Sequence, residues 1–134
     1  MSAFDAPNRD VCTLRRVRTN TPLQALVTLN DPVYVEASQA LARSMSTAAD
    51  SDAGRIEHGL KAALCRPARP DEIEVLRNLH DQALTVFRSQ PDAAVAMATE
   101  PLGALPEGAD AGELAAWTVV ANAILNLDEF LMRR

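Results

Sequence analysis

Proline stands at the threshold of one apolar segment after another in this chain. Thr21-Pro22, Asp31-Pro32, Arg69-Pro70 and Gln90-Pro91 each open a stretch with helical potential. At the first position of a helix proline has no amide to leave unbonded, and its fixed φ suits the first turn. Threonine or aspartate just before it can cap the helix end. A chain punctuated in this way is constrained to short helices that start at defined residues.

The segments between these signals carry helical periodicity. Residues 1–20 do not, and read as an irregular polar arm. A first helix starts near Pro22, with Leu23, Leu26, Val27 and Leu29 on its apolar side. Asn30-Asp31-Pro32 ends it and starts a second, which runs to about Ser44 and places Val33, Ala37, Ala40 and Leu41 on one face. Residues 21–45 thus form a tight helical corner. After a small polar linker, residues 53–99 hold three helices. Ala53 to Leu64 carries Ile56, Leu60, Ala63 and Leu64. The helix from Pro70 has Asp71 and Glu72 in its first turn, where negative charge suits the dipole, and the stripe Ile73, Leu76, Leu79, Ala83 and Phe87. Pro91 to Thr99 is a short helix.

Residues 100–112 read as a loop and 113–134 as the C-terminal helix, with a start near Ala111 to Glu113. There Leu114, Trp117, Ala121 and Ile124 share a face. A straight continuation would bury Asp128 unpaired, which is costly. The helix is therefore expected to break near Asn126 to Asp128, with Asp128 capping a last turn from Glu129 to Arg133. The expected fold class is all-α: an array of five to six short helices preceded by an irregular arm.

Composition narrows the function classes. With 134 residues, 48% of them apolar and 23% charged, the chain is globular and of single-domain size. The net charge of -5 is uneven: Arg9, Arg15, Arg16 and Arg18 against Asp5 and Asp10 give residues 1–20 a net of +2, leaving -7 elsewhere. An acidic body argues against general nucleic-acid binding. The pair of helices at Asn30-Asp31-Pro32 is also a poor helix-turn-helix, because its second helix offers only Glu36, Ser38, Gln39 and Arg43 as readers. The longest uncharged run, Leu114 to Leu127, falls short of the ~20 residues a membrane span needs. The opening MSAFDAPNRD is polar and lacks the apolar core of a signal peptide.

Catalytic and metal motifs find little support. His58 and His80 have no partner at ligand spacing and read as surface or boundary residues. No C-x-x-C-H is present, so this chain attaches no c-type haem and no cofactor is expected in it. Cys12 lies among Arg9, Arg15 and Arg16, and nearby cations activate a thiol; a small buried cysteine is the plainer outcome. A Cys12–Cys65 bridge is possible in an oxidising compartment. Asp71/Glu72 and Asp128/Glu129 sit at helix starts, where capping explains them. What remains is Arg15, Arg16 and Arg18 with Thr19, Asn20, Gln24, Asn30 and Asp31. Arginine forks bind carboxylates, phosphates and sulfates, so this cluster is the candidate for anion binding or docking. Its structural use comes first, since the backbone of a polar arm also needs these partners.

The stretch F-D-A-P-N-R-D-V-C-T-L-R-R-V-R-T-N-T-P-L-Q-A-L-V-T-L-N-D-P-V-Y-V-E-A, Phe4 to Ala37, resembles the signature of the planctomycete-type family called domain of unknown function 1553. Leu64 to Glu72 and Leu114 to Arg134 are similar to its later part. The resemblance implies an exported protein, periplasmic or at the cell surface, often joined to a c-type cytochrome module that carries the haem. It implies that Met1 corresponds to an internal position, and that the partner is a preceding N-terminal part of the same domain. It also implies glycine at the position of Cys65, which weakens the disulfide. The expected role is structural or interactive. The alternative is an Arg-rich pocket in an enzyme acting on acidic or sulfated polysaccharide, with Asp31 as acid or base unless it serves as a cap.

Overall fold

The computed structural model describes residues 30–131. They form six helices: α1 (Pro32–Ala48), α2 (Asp52–Leu64), α3 (Pro70–Ser89), α4 (Pro91–Thr99), α5 (Ala111–Leu125) and α6 (Asp128–Leu131). No strand occurs among the described residues. The fold is all-α, as the punctuation requires. Pro32, Pro70 and Pro91 each open a helix. The polar arm and the helix expected from Pro22 lie outside the described residues.

Side-chain caps mark the starts of α1, α2 and α5. Asp31 Oδ1 accepts from Val33 N at 2.8 Å, and Ser51 Oγ accepts from Gly54 N at 3.2 Å. Asp110 Oδ1 accepts from Gly112 N and Glu113 N at 2.7 and 3.2 Å. That cap starts α5 at Ala111, within the expected range of Ala111 to Glu113. The expected break after α5 is present. Leu127, rather than Asp128, takes the cap position, its carbonyl accepting from Phe130 and Leu131; Asp128 is the first helical residue and is exposed.

Helix α5 is the centre of the array. It packs against α1, α3 and α4 and buries Leu114, Ala115, Ala116, Trp117, Val120, Ala121 and Ile124. A helix apolar on all sides has no solvent face to keep and goes to the middle. Close approach is built in at Gly59 of α2, where an added Cβ would stand 2.7 Å from Met45 Sδ of α1 and 3.2 Å from Ile124 Cδ1 of α5.

Two faces differ from the sequence expectation. In α1 the buried residues are Ser38, Gln39, Ala42 and Met45, whereas Val33 is 71% exposed and Ala37 and Ala40 are exposed. Of the expected stripe only Leu41 packs partly against the core; the buried side is instead centred on Gln39, which finds partners there. In α3, His80 is buried with Leu76, while Leu79 is only half-buried. His80 is therefore a core residue rather than a boundary one: its ring lies 4.2 Å from that of Trp117, an apolar contact that accepts the imidazole.

Cys65 ends α2 in the left-handed conformation, φ 55 and ψ 31, with its N–H bonded to Lys61 O at 2.9 Å. That backbone favours glycine, the residue the family resemblance implies there. Cys65→Gly is expected to raise stability by up to ~1 kcal/mol, since a side chain in the left-handed region costs about 1–2 kcal/mol and glycine's extra unfolded-state freedom offsets part of the gain. An unchanged or lower urea midpoint would show that Cys65 bears no strain. The thiol is free and exposed; Cys12 lies outside the described residues.

Candidate functional site

Of the candidate residues, Asn30 and Asp31 fall within the described part; Arg15, Arg16, Arg18, Thr19, Asn20 and Gln24 lie outside it. Asn30 is helical and Asp31 is extended, so the chain turns a corner between them. The Asp31 carboxylate is engaged as the cap of α1, the use that competes with a role as acid or base. Beside the corner opens an apolar groove of roughly 250 Å³, walled by Val33, Tyr34, Ala37 and Leu41 of α1, Ala63 of α2 and Phe130 of α6.

The polar residues that do most in the described part were missed by sequence reasoning. Gln39 Nε2 donates to Met97 O and Glu100 O at 2.7 and 2.6 Å, and its Oε1 accepts from Leu102 N at 3.0 Å. One turn on, Arg43 Nη2 donates to Gly103 O at 2.7 Å and Ala104 O at 3.0 Å. These two side chains, at i and i+4 on one face, staple α1 to the end of α4 and the segment after it. They are among the residues tested above as nucleic-acid readers; the face that would have read bases is turned onto the chain itself. The only sequence signal was an amide flanked by small residues, Ser38 and Ala42, which leave it room to approach the backbone.

A second staple joins the α2–α3 turn to α6. Arg66 Nη1 and Nη2 donate to Glu72 at 2.9 and 2.6 Å, and Arg66 Nε and Nη2 donate to Glu129 Oε2 at 2.9 and 2.6 Å. The paired bonds from Arg66 hold the Glu72 carboxyl down to about 2 from an ordinary 4.5, against partial burial, with help from the Arg69 N–H. Capping thus accounts for Glu72 only in part. A carboxylate with a depressed folded pKa stabilises fully above its unfolded value, and loses that contribution as pH falls through the folded one. Stability measured by urea denaturation should decline between pH 4.5 and about 2, and Glu72→Gln should flatten part of that decline. An identical acid profile in the variant would show that the bridge is idle.

Arg55 donates to Glu113 Oε1 at 3.0 Å and to Ala49 O at 2.9 Å, with its guanidinium 5.6 Å from the centre of the Trp117 ring. His58 Nε2 meets Ser44 Oγ at 2.9 Å. No group of three His, Cys, Asp or Glu able to hold a metal occurs among the described residues. No described helix is long and apolar enough to cross a membrane.

What these residues define is a stapled helical array with an open apolar groove beside the Asn30-Asp31 corner. The chain belongs to the family described as PSD1, Protein of unknown function (DUF1553), whose model matches residues 1–80. The match takes in the Phe4 to Ala37 motif and Leu64 to Glu72, and ends before Leu114 to Arg134. No curated protein and no solved structure matches the chain.

Proposed function

We propose that this chain is a helical interaction module. Its array serves as a scaffold, and the segment Arg15, Arg16, Arg18, Thr19 and Asn20, with Gln24 and the Asn30-Asp31 corner, docks on an acidic surface. The observation that supports this reading is where the described polar groups are spent. Gln39, Arg43, Arg55 and Arg66 all bond across their own helices, which is how a scaffold is held rather than how a substrate is gripped. The surface docked upon is a preceding N-terminal part of the same family domain. A c-type cytochrome module is a further neighbour, and the setting is the periplasm or cell surface; both follow from the family resemblance.

Arg16→Ala tests the role. A charge-assisted arginine contact is worth about 1.5–3 kcal/mol, so association with the N-terminal part of a family domain supplied in trans should weaken roughly 10- to 100-fold. The opposite result is an unchanged association and fold, with binding of a sulfated oligosaccharide abolished. That would give the segment to an anion pocket of an enzyme acting on acidic or sulfated polysaccharide.

A further inference from the structure

Among the described residues a second recess, of roughly 190 Å³, opens where α1, α2 and the start of α5 meet. Ser46, Arg55, Ala109, Asp110, Glu113 and Trp117 line it. It shares no residue with the groove beside the corner. Trp117 is wholly buried, and its indole Nε1 has no hydrogen-bond partner. Buried indole N–H groups find an acceptor as a rule, so this one asks for one. The same recess carries acceptors that no described donor uses. Asp110 caps α5 through Oδ1, and Glu113 receives Arg55 through Oε1; the second oxygen of each takes no donor among the described residues. We propose that this recess binds a small neutral polyol, one sugar ring in size.

Charge and hydrogen-bonding capacity select that class. Asp110 and Glu113 against Arg55 give the lining a net charge of -1, which disfavours an anion. A simple cation would serve the carboxylates but not the indole N–H, which only donates. No group of three metal-ligating side chains occurs among the described residues. A hydroxyl both donates and accepts, so neighbouring hydroxyls of one ligand can give to Asp110 and Glu113 and take from Trp117. Arg55 is held over the Trp117 ring by its bonds to Glu113 and Ala49, which fixes one wall of the recess. Its volume falls below the ~300 Å³ at which pockets for larger organic ligands begin, and that limits the ligand to one ring. The proposal is independent of the docking role, because the recess uses none of the residues assigned to docking.

Trp117 is the single tryptophan, so its indole N–H gives one nuclear magnetic resonance signal in the full chain. Titration with D-glucose or myo-inositol should move that signal saturably. Glucuronate, which places a carboxylate on the same ring, should bind less tightly, and methylammonium should leave the signal unmoved. Asp110→Asn keeps an oxygen to cap α5 but turns the second acceptor into a donor. It should weaken glucose binding about 10-fold, the loss of one hydrogen bond to a charged group. Glu113→Gln, which keeps an oxygen for Arg55, should weaken it similarly, with circular dichroism showing that both variants stay folded. A signal that neither neutral probe moves would overturn the proposal. So would a shift that never saturates and is equal in both variants, which marks an adventitious additive only. Tighter binding of glucuronate or methylammonium than of glucose would also overturn it, by giving the recess to a charged ligand.

Discussion

Trp117→Ala is expected to remove about 4 kcal/mol of stability, within the 3–5 kcal/mol range for truncating a fully buried large aromatic. Trp117 is 0% exposed at the middle of α5. His80 lies against its ring at 4.2 Å and the Arg55 guanidinium sits 5.6 Å from its centre, so three helices lose a shared contact at once. Against a total of about 5–15 kcal/mol for a domain of this size, that is a large fraction. Trp117→Phe, which keeps an aromatic ring for His80, should lose less than half as much. Urea denaturation followed by circular dichroism measures both. A loss below about 1 kcal/mol in the alanine variant would mean that α5 is not the centre of the fold.

Gln39→Leu should cost about 3 kcal/mol despite its similar volume and greater hydrophobicity. Gln39 is 1% exposed and serves Met97 O, Glu100 O and Leu102 N together. Leucine leaves two acceptors and one donor without their partner, and each such group costs about 1–3 kcal/mol when water cannot reach it. The damage should be local. Hydrogen exchange should quicken at the Leu102 amide, whose acceptor is gone, while the α5 amides stay protected in proportion to global stability. Were Gln39→Leu as stable as wild type, the staple would be decoration on an interface already closed by packing.

These two residues also mark what was legible in the sequence. Proline at the first position set the starts of α1, α3 and α4, with a side-chain cap, Asp31, only in α1, because both signals act within a few residues. The break after Asn126 was legible through the cost of burying Asp128. The α1 face was not. Its stripe of Val33, Ala37, Ala40 and Leu41 is a sound amphipathic pattern, yet the buried side is centred on Ser38, Gln39, Ala42 and Met45. Periodicity assumes that polar groups seek water, whereas Gln39 finds three backbone partners more than fifty residues away. His80 escaped for a related reason, since nothing local indicates that an imidazole will stack on Trp117. The centrality of α5 is present in the uncharged run from Leu114 to Leu127, which leaves that helix no charged face to turn to water. Arg66, Glu72 and Glu129 come from three separate places in the chain, and only the fold brings them together. Of the candidate segment only Asn30 and Asp31 lie among the described residues, and Asp31 is a cap by its bond to Val33.

The central claim is that packing around α5, rather than helix propensity alone, makes this chain a scaffold. Urea denaturation of residues 1–134, followed together by far-ultraviolet circular dichroism and by the fluorescence of Trp117, the single tryptophan, tests it most directly. Helix content and the environment of Trp117 should be lost in one coincident, cooperative transition. Fluorescence that changes well before helix content, or a broad sloping loss of both, would contradict it, leaving helices without the shared core that a scaffold requires.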